Sequence, residues 1–347
     1  MSSMTQYFIR RFLLVIPTFL GITLVSFCIM QIVPGGPLEQ EIMKIRAGAM
    51  MGGETAGATD RVGSGQIPEE ILNEMKRFYG FDKPIPVRYG LWLWNIVHLD
   101  LGRSYIFGEP VWDVIKSRFP VSIYFGVIGF VLSYTVCVPL GVWKAVKHGS
   151  TFDFLSSSLV FLGYSLPGWA LGAVLLVLLG GGSFWNVFPL GGFRSEGWEM
   201  LPLWDKIIDQ VYHTILPIVA ETVGAFATLT VLMKNGLMEQ LGQDYVRTAF
   251  AKGLTENRVI FLHALRNSLI PIATTIGGSI GIILSGSYLI ELVFNINGFG
   301  LLGFTSMVNR DYPIVLGELV IGTLIGLIGA IISDMVLAMV DPRIRFR

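Results

Sequence analysis

The sequence is poor in charge and almost devoid of cysteine. Only 14% of its 347 residues are Asp, Glu, Lys or Arg, while 52% are hydrophobic. An ordinary soluble domain carries about 25% charge. Too few polar groups remain to coat a water-exposed surface, and the mean hydropathy of +0.63 agrees. The class is a polytopic membrane protein. Net charge is zero, which removes any whole-chain pull toward nucleic acid. Cys28 and Cys137 both lie inside apolar runs, so no disulfide and no metal-type spacing is expected. The four histidines, at 98, 148, 213 and 263, share no ligand spacing. There is no H-E-x-x-H, no G-x-S-x-G and no G-x-x-x-x-G-K-[ST]. No residue set argues for catalysis or a metal site, and no loop can cradle the phosphates of ATP.

What the chain does have is long apolar runs. A helix needs about 20 apolar residues to cross a bilayer. Six spans are read, at 12–33, 121–143, 154–180, 213–234, 270–292 and 314–340. Pro167 and Gly168 interrupt the third, and Glu221 sits within the fourth. Cationic residues set the orientation. Arg10 and Arg11 precede the first span, and Lys144, Lys147, Lys234, Arg247, Lys252, Arg258, Arg266, Arg343, Arg345 and Arg347 fall on the same side. The two short loops opposite hold only Arg194, Lys206 and Arg310. Both termini are therefore expected in the cytoplasm. Arg10-Arg11-Phe12-Leu13-Leu14 has the look of a twin-arginine signal. The apolar run is too long for a signal core, and Val33-Pro34-Gly35-Gly36-Pro37 is no cleavage site. The expectation is an uncleaved first span.

The organisation follows: 1–33 is an N-terminal segment with the first span, 34–120 an outer subdomain, and 121–347 a core with five spans. Within 34–120, Ala47 to Gly65 reads as a loop, and Pro68-Glu69-Glu70 opens a helix that stops at Gly80. A second helix runs from Pro84 to His98 and carries Trp92 and Trp94, aromatics suited to the headgroup level. Gly168/Gly172, Gly277/Gly281 and Gly322/Gly326 have the spacing of close helix packing in lipid. Gly298-Phe299-Gly300-Leu301-Leu302-Gly303 matches G-x-G-x-x-G. It follows a span rather than the strand that a dinucleotide site requires, so a tight glycine turn is the better account. Glu221, Glu318 and Asp334 lie within spans. Ionisable groups there line a path or pair internally, and both roles stay open for Glu221. Asp334, near the cytoplasmic end, is expected to face water or Arg343.

The most informative stretch is Gly242-Gln243-Asp244-Tyr245-Val246-Arg247-Thr248-Ala249-Phe250-Ala251-Lys252-Gly253-Leu254, inside a polar loop at about 235–270. At about 100° per residue, Leu241, Tyr245 and Ala249 share one side, and Val246 and Phe250 a second. Two apolar sides on one short exposed helix predict a sandwich between the membrane domain and a partner. Gly253 suits the left-handed position that ends a helix, and Thr255 suits the cap of a second helix with Glu256 in its first turn.

These residues, followed by His263-Ala264-Leu265-Arg266-Asn267 and Ile270-Pro271, resemble the EAA loop of ABC importer permeases of the dipeptide/oligopeptide class. The resemblance runs along nearly the whole chain. It includes Ile9-Arg10-Arg11 with Ile16-Pro17-Thr18, Gly80-Phe81-Asp82-Lys83-Pro84, Leu101-Gly102-x-Ser104, and Glu291-x-x-Phe294 with Gly298-x-Gly300. It continues through Arg310-Asp311-Tyr312-Pro313 and the closing Asp341-Pro342-Arg343-Ile344. Pro34-Gly35-Gly36-Pro37 departs from the usual Pro-Gly-Asp-Pro, and Glu239-Gln240-Leu241 stands where Glu-Ala-Ala is expected. The insert 47–65, Arg247-Thr248-Ala249 and Gly181-Gly182-Ser183 are similar to Yej-type permeases, which take up oligopeptides and the peptide antibiotic microcin C.

The resemblance implies an all-α, six-span permease of the type I ABC importer (MetI-like) fold in the bacterial inner membrane. It also implies a second permease subunit, ABC ATPase subunits and a periplasmic peptide-binding protein. ATP and Mg would sit in the partner ATPase, with no cofactor on this chain. Coupling to the ATPase would fall on Glu239, Gly242, Asp244, Tyr245, Val246, Arg247, Thr248, Ala249, Phe250, Ala251, Lys252 and Gly253, and Glu221, Glu291 and Glu318 are candidates for the translocation path. A nickel or other small-solute permease is the alternative within the family; nickel suits imidazole, and the outer segments offer His98 and His213. An ion-driven secondary transporter is the alternative from another class. It would show inverted repeats and paired midplane charges, and no repeat is visible.

Overall fold

The structure is a computed structural model that describes residues 3–32, 82–182 and 184–340, with Glu39, 42–43 and 72–74. The turn at Pro34–Pro37, the loop 47–65, the helix after Pro68 apart from 72–74, Ser183 and the closing 341–347 lie outside the described residues. Every named element is helical: α1 (Ser3–Ile32), α2 (Ile85–Val97), α3 (Val111–Val146), α4 (Thr151–Ser165), α5 (Gly168–Leu179) and α6 (Leu203–Leu241). After them come α7 (Asp244–Ala251), α8 (Glu256–Ser268, with a π turn at Val259–Ala264), α9 (Ile270–Ser285), α10 (Tyr288–Val293), α11 (Phe299–Val308) and α12 (Tyr312–Val340).

Among the described residues four helices are long and apolar enough to cross a bilayer alone: α1 over Ile9–Ile32, α3, α6, and α12 over Tyr312–Leu337. Two bent pairs bring the number to as many as six. The expected third span, 154–180, is two helices, α4 and α5, meeting at 94°. Leu166 is extended (φ −99°, ψ 127°), the conformation toward which the ring of Pro167 biases the residue before it. The expected fifth span, 270–292, is also shorter than read. It stops at Ser285, where Gly286 turns with φ +66°, and α10 starts anew. The other bent pair, Glu256–Ser268 with Ile270–Ile276, turns by 45°.

By their internal contacts the residues form two compact units. The larger comprises Met1–Leu13, Arg118–Leu302 and Leu324–Arg347. Its core has two clusters strung along α6. One gathers Cys137, Met233, Leu237, Val246, Ala249, Val259 and Ile260. The other gathers Phe125, Leu216, Ala220, Ile290, Phe294 and Ile296. Glycines set the helix spacing. A Cβ on Gly168 would lie 2.5 Å from the Ala220 carbonyl oxygen, and one on Gly172 would lie 2.9 Å from the Phe294 ring. That pair therefore packs α5 onto α6 and α10, as its spacing suggests. Gly322 and Gly326 have nothing within 4 Å of a built Cβ, so among the described residues no neighbour packs closely at either. Gly141 and Gly163, which no spacing pattern marks, do pass closely, at Met233 and Val223.

Asp334 is paired with Arg11 and accepts the Tyr7 hydroxyl at 2.8 Å, rather than facing open water.

The smaller unit comprises Leu14–Ser117 and Gly303–Thr323. The helix read from Pro84 to His98 is α2, with those two residues as its caps. It lies on α1, where the ring of Phe27 packs 5.5 Å from both Tyr89 and Trp92. Tyr89 also shares a 3.0 Å hydrogen bond with Thr23. Trp92 is thus a packing residue, and Trp94 is the exposed aromatic of the pair. Val111, Ile115 and Ile314 are fully buried, and Gly317 leaves room for Val111.

Candidate coupling surface and internal carboxylates

α6 ends at Leu241, and Gly242 and Gln243 turn the chain into α7. The end of α7 is closed by its backbone. Gly253 N–H donates to Phe250 O at 2.9 Å and Leu254 N–H to Ala249 O at 3.4 Å. With Gly253 at φ +79°, this is a complete Schellman motif. Leu254 packs on the same cluster as Ala249, supplying the apolar contact that accompanies the motif. Thr255 is the N-cap of α8 in conformation, but its side chain makes no capping hydrogen bond.

The sequence pairs Tyr245 with Ala249 and Val246 with Phe250; the structure splits both pairs. Val246 and Ala249 are 0% and 6% exposed, whereas Tyr245 and Phe250 are 39% and 46% exposed. On a helix, positions i and i+3 are only about 60° apart. The small Val246 and Ala249 therefore share one inward stripe against Leu237, Met233, Val259, Ile260 and Ala264. The two rings flank that stripe, each about 70° from its centre. Tyr245 is fastened there, donating to Gln240 Oε1 at 2.8 Å and accepting from Asn267 Nδ2 at 3.1 Å. The opposite face shows Asp244, Arg247, Thr248 and Ala251, all exposed, with Glu239, Gly242, Lys252 and Gly253 exposed beside it. Arg247 reaches Asp244 at 3.4 Å, a solvent-washed pair worth little. α7 is thus a short rigid helix with its apolar stripe spent on its own chain and a polar face presented outward.

Of the three candidate path carboxylates, two line one cavity. Glu221 on α6 and Glu291 on α10 border a space of about 10 Å³ with Ser122 and Phe125, room for about one water molecule. Glu221 also borders a groove of about 140 Å³ with Phe130, Tyr134 and Ser279. Glu291 is buried and bound, accepting from Leu301 N–H at 2.6 Å and further from Gly300 N–H and the Ser122 hydroxyl. A Cβ on Gly286 or Gly298 would fall on this carboxylate. The Gly298-x-Gly300 turn is therefore a cradle for an internal acid at the start of α11, where a helix N-terminus favours negative charge. Glu318 packs instead against Gly303, the last glycine of the same motif.

One buried polar cluster carries no sequence motif of its own. Lys144 is 1% exposed and lies 3.2 Å from Asp153. It donates to Ser156 Oγ at 2.9 Å and Ser157 Oγ at 2.7 Å. Lys234 meets both oxygens of Asp153 at 2.8 Å. Two cations counted for orientation are thus tied to one internal acid. Only Asp153, placed three residues after the capping Ser150, hinted at it. The two candidate nickel ligands are engaged locally: His98 Nδ1 lies 2.8 Å from Trp94 O and His213 Nδ1 2.9 Å from Asp209 O. Among the described residues no three His, Cys, Asp or Glu side chains are grouped to hold a metal.

Residues 137–346 match the family described as binding-protein-dependent transport system inner membrane component. The chain is 40% identical to the peptidoglycan transport system permease protein YejB of Agrobacterium fabrum, over 99% of both chains. It is 41% identical to the inner membrane ABC transporter permease protein YejB of Escherichia coli O157:H7, again over 99% of both. The dipeptide transport system permease protein DppB of Escherichia coli K12 is 35% identical, over 99% of this chain and 100% of its own. A family match over more than half the chain and full-length likeness to three permeases leave one conclusion: the chain belongs to the permease subunits of binding-protein-dependent ABC importers.

Proposed function

We propose that this permease moves oligopeptides from the periplasm to the cytoplasm, with microcin C-like peptides among its candidate cargoes. In this reading both termini are cytoplasmic and a second permease chain completes the pathway. A periplasmic binding protein delivers the peptide, and ATP and Mg are handled by a separate ATPase. The observation that carries the reading is α7. It is fixed to the core by Val246, Ala249 and Tyr245, and it presents Asp244, Arg247, Thr248 and Ala251 outward. A short helix held this way passes a push from a partner groove directly to α6 and α8. The peptide cargo is supported by the dipeptide permease relative, and the groove beside Glu221 is where the path would run.

The name of the Agrobacterium fabrum relative favours a second cargo, peptide-bearing fragments of peptidoglycan. Uptake of a labelled tripeptide into proteoliposomes holding the whole transporter tests both. Competition by unlabelled oligopeptides supports the first cargo, and competition by peptidoglycan fragments alone supports the second. Uptake driven by a proton gradient without ATP would overturn the ABC mechanism.

A further inference from the structure

We infer that the smaller unit carries a receiving site for the free carboxylate end of a peptide, in the cleft between α2, the loop 100–108 and the start of α12. This rests on the proposed peptide cargo and on the outward placement of this unit. The cleft encloses about 670 Å³, inside the range of about 300–1,000 Å³ usual for small-molecule sites. Its floor is apolar and aromatic, made by Phe27, Leu91, Trp92 and Leu316. Among the described residues three cations line it, Lys83, Arg88 and Arg103, against one acid, Asp100, with Glu39 near Tyr312 outside the lining. Asp100 is already engaged, accepting Gly102 N–H at 2.9 Å, and Asp82 lies near Arg88 outside the lining. The lining charge is therefore net positive although the whole chain is neutral.

The rim is held in shape before any ligand arrives. Tyr105 borders the cleft on the loop 100–108 and Tyr312 at the first position of α12, and Asp311 ties the two together, since its buried carboxylate accepts Ser104 Oγ–H and Tyr105 N–H. A preformed rim reduces the ordering cost of binding. Arginine and lysine over an aromatic floor suit a carboxylate at the end of a short chain of mixed side chains.

The test uses the complete transporter in nanodiscs with no binding protein added. The probe is a tripeptide with a free carboxylate and a benzophenone side chain. Photolysis is expected to label Trp92 or Tyr105, as mapped by mass spectrometry. The unlabelled tripeptide acid should compete at a concentration at least about five-fold lower than its C-terminal amide, a modest share of the preference a charge-assisted contact can give. Arg88 is half-buried and its loss can disturb the fold, so the exposed Lys83→Gln and Arg103→Gln are the primary variants. They should abolish the preference for acid over amide while leaving the melting temperature unchanged. Labelling outside the cleft, or equal competition by acid and amide, would each overturn the site. Uptake by the wild type with binding protein present separates the two layers. Uptake without cleft labelling overturns the cleft alone, and absence of peptide uptake overturns the cargo reading and the cleft with it.

Discussion

Ser104 donates its hydroxyl to the carboxylate of Asp311, 207 residues further along the chain. Asp311 is fully buried and also accepts Tyr105 N–H at 3.1 Å and Ile106 N–H at 3.3 Å. Ser104 Oγ in turn accepts Ile106 and Phe107 N–H. Asp311, with Ser104 Oγ, thus takes the donors of Tyr105, Ile106 and Phe107, while Ser104 and Gly108 N–H bond within the loop backbone.

Removing that acid should unravel the loop. A hydrogen bond to a charged group contributes about 1.5–3 kcal/mol, and buried donors left alone cost more. Asp311→Ala is expected to lower the melting temperature in detergent and to open residues 100–108 to protease. Ser104→Ala, which leaves the backbone donors to the carboxylate in place, should cost about 1–2 kcal/mol. Equal, wild-type proteolysis of both variants would show that the loop is held by something else.

The glycine motif makes a sharper test, because the defect should be repairable. Gly298→Ala places a methyl group on the Glu291 carboxylate. The clash and the displaced Leu301 hydrogen bond together should cost about 2–4 kcal/mol. In the double variant Gly298→Ala/Glu291→Ala the methyl has space, so the two costs should fall short of their sum by at least about 1 kcal/mol. Strictly additive costs in thermal unfolding would separate Gly298 from Glu291.

Asp153 stands between two lysines, and its neutralisation should be worse than the loss of one of them. Asp153→Asn leaves Lys144 buried without a counter-charge, an arrangement that costs about 3–5 kcal/mol. Adding Lys144→Met removes the stranded cation and should recover most of the loss. The measurement is the yield of folded protein by fluorescence-detected size exclusion. Failure of Lys144→Met to rescue would put the importance of Asp153 in its bond to Lys234 or in its cap at Gly149.

Much of this was legible from the residues. Long apolar runs gave helices near their observed places. Gly253 announced the end of α7, because a position needing φ +79° favours glycine. The losses have physical causes. Periodicity alone cannot say which of two stripes faces inward when both are mixed, and side-chain size decided for Val246 and Ala249. The break at Pro167 was visible, but the 94° bend was not, since a proline can mark a weak point in a helix and says nothing of where the next one points. The Ser104–Asp311 and Glu291–Gly298 pairs were present as separate motifs, and no local rule says that they meet.

The split of α7 into an inward stripe and an outward face decides which residues can test coupling. Ala249 is seated against its own core, so Ala249→Glu buries an unpaired charge within this chain and should cost about 3–5 kcal/mol. It reports folding, and loss of the ATPase from that variant would say nothing specific about docking. Ala251→Glu and Arg247→Glu lie on the exposed face and should leave stability within about 0.5 kcal/mol. If the ATPase grips this face, both should insert normally yet lose ATPase pull-down and peptide uptake at least ten-fold. Gly253→Val supplies an intermediate case. Nothing lies within 4 Å of a built Cβ there, so its effect comes only from the φ of +79° that valine resists, about 1–3 kcal/mol of local strain. That strain should loosen the Schellman turn without emptying the core, reducing uptake more than ATPase binding. Wild-type pull-down and uptake by both Ala251→Glu and Arg247→Glu would move the ATPase contact off α7.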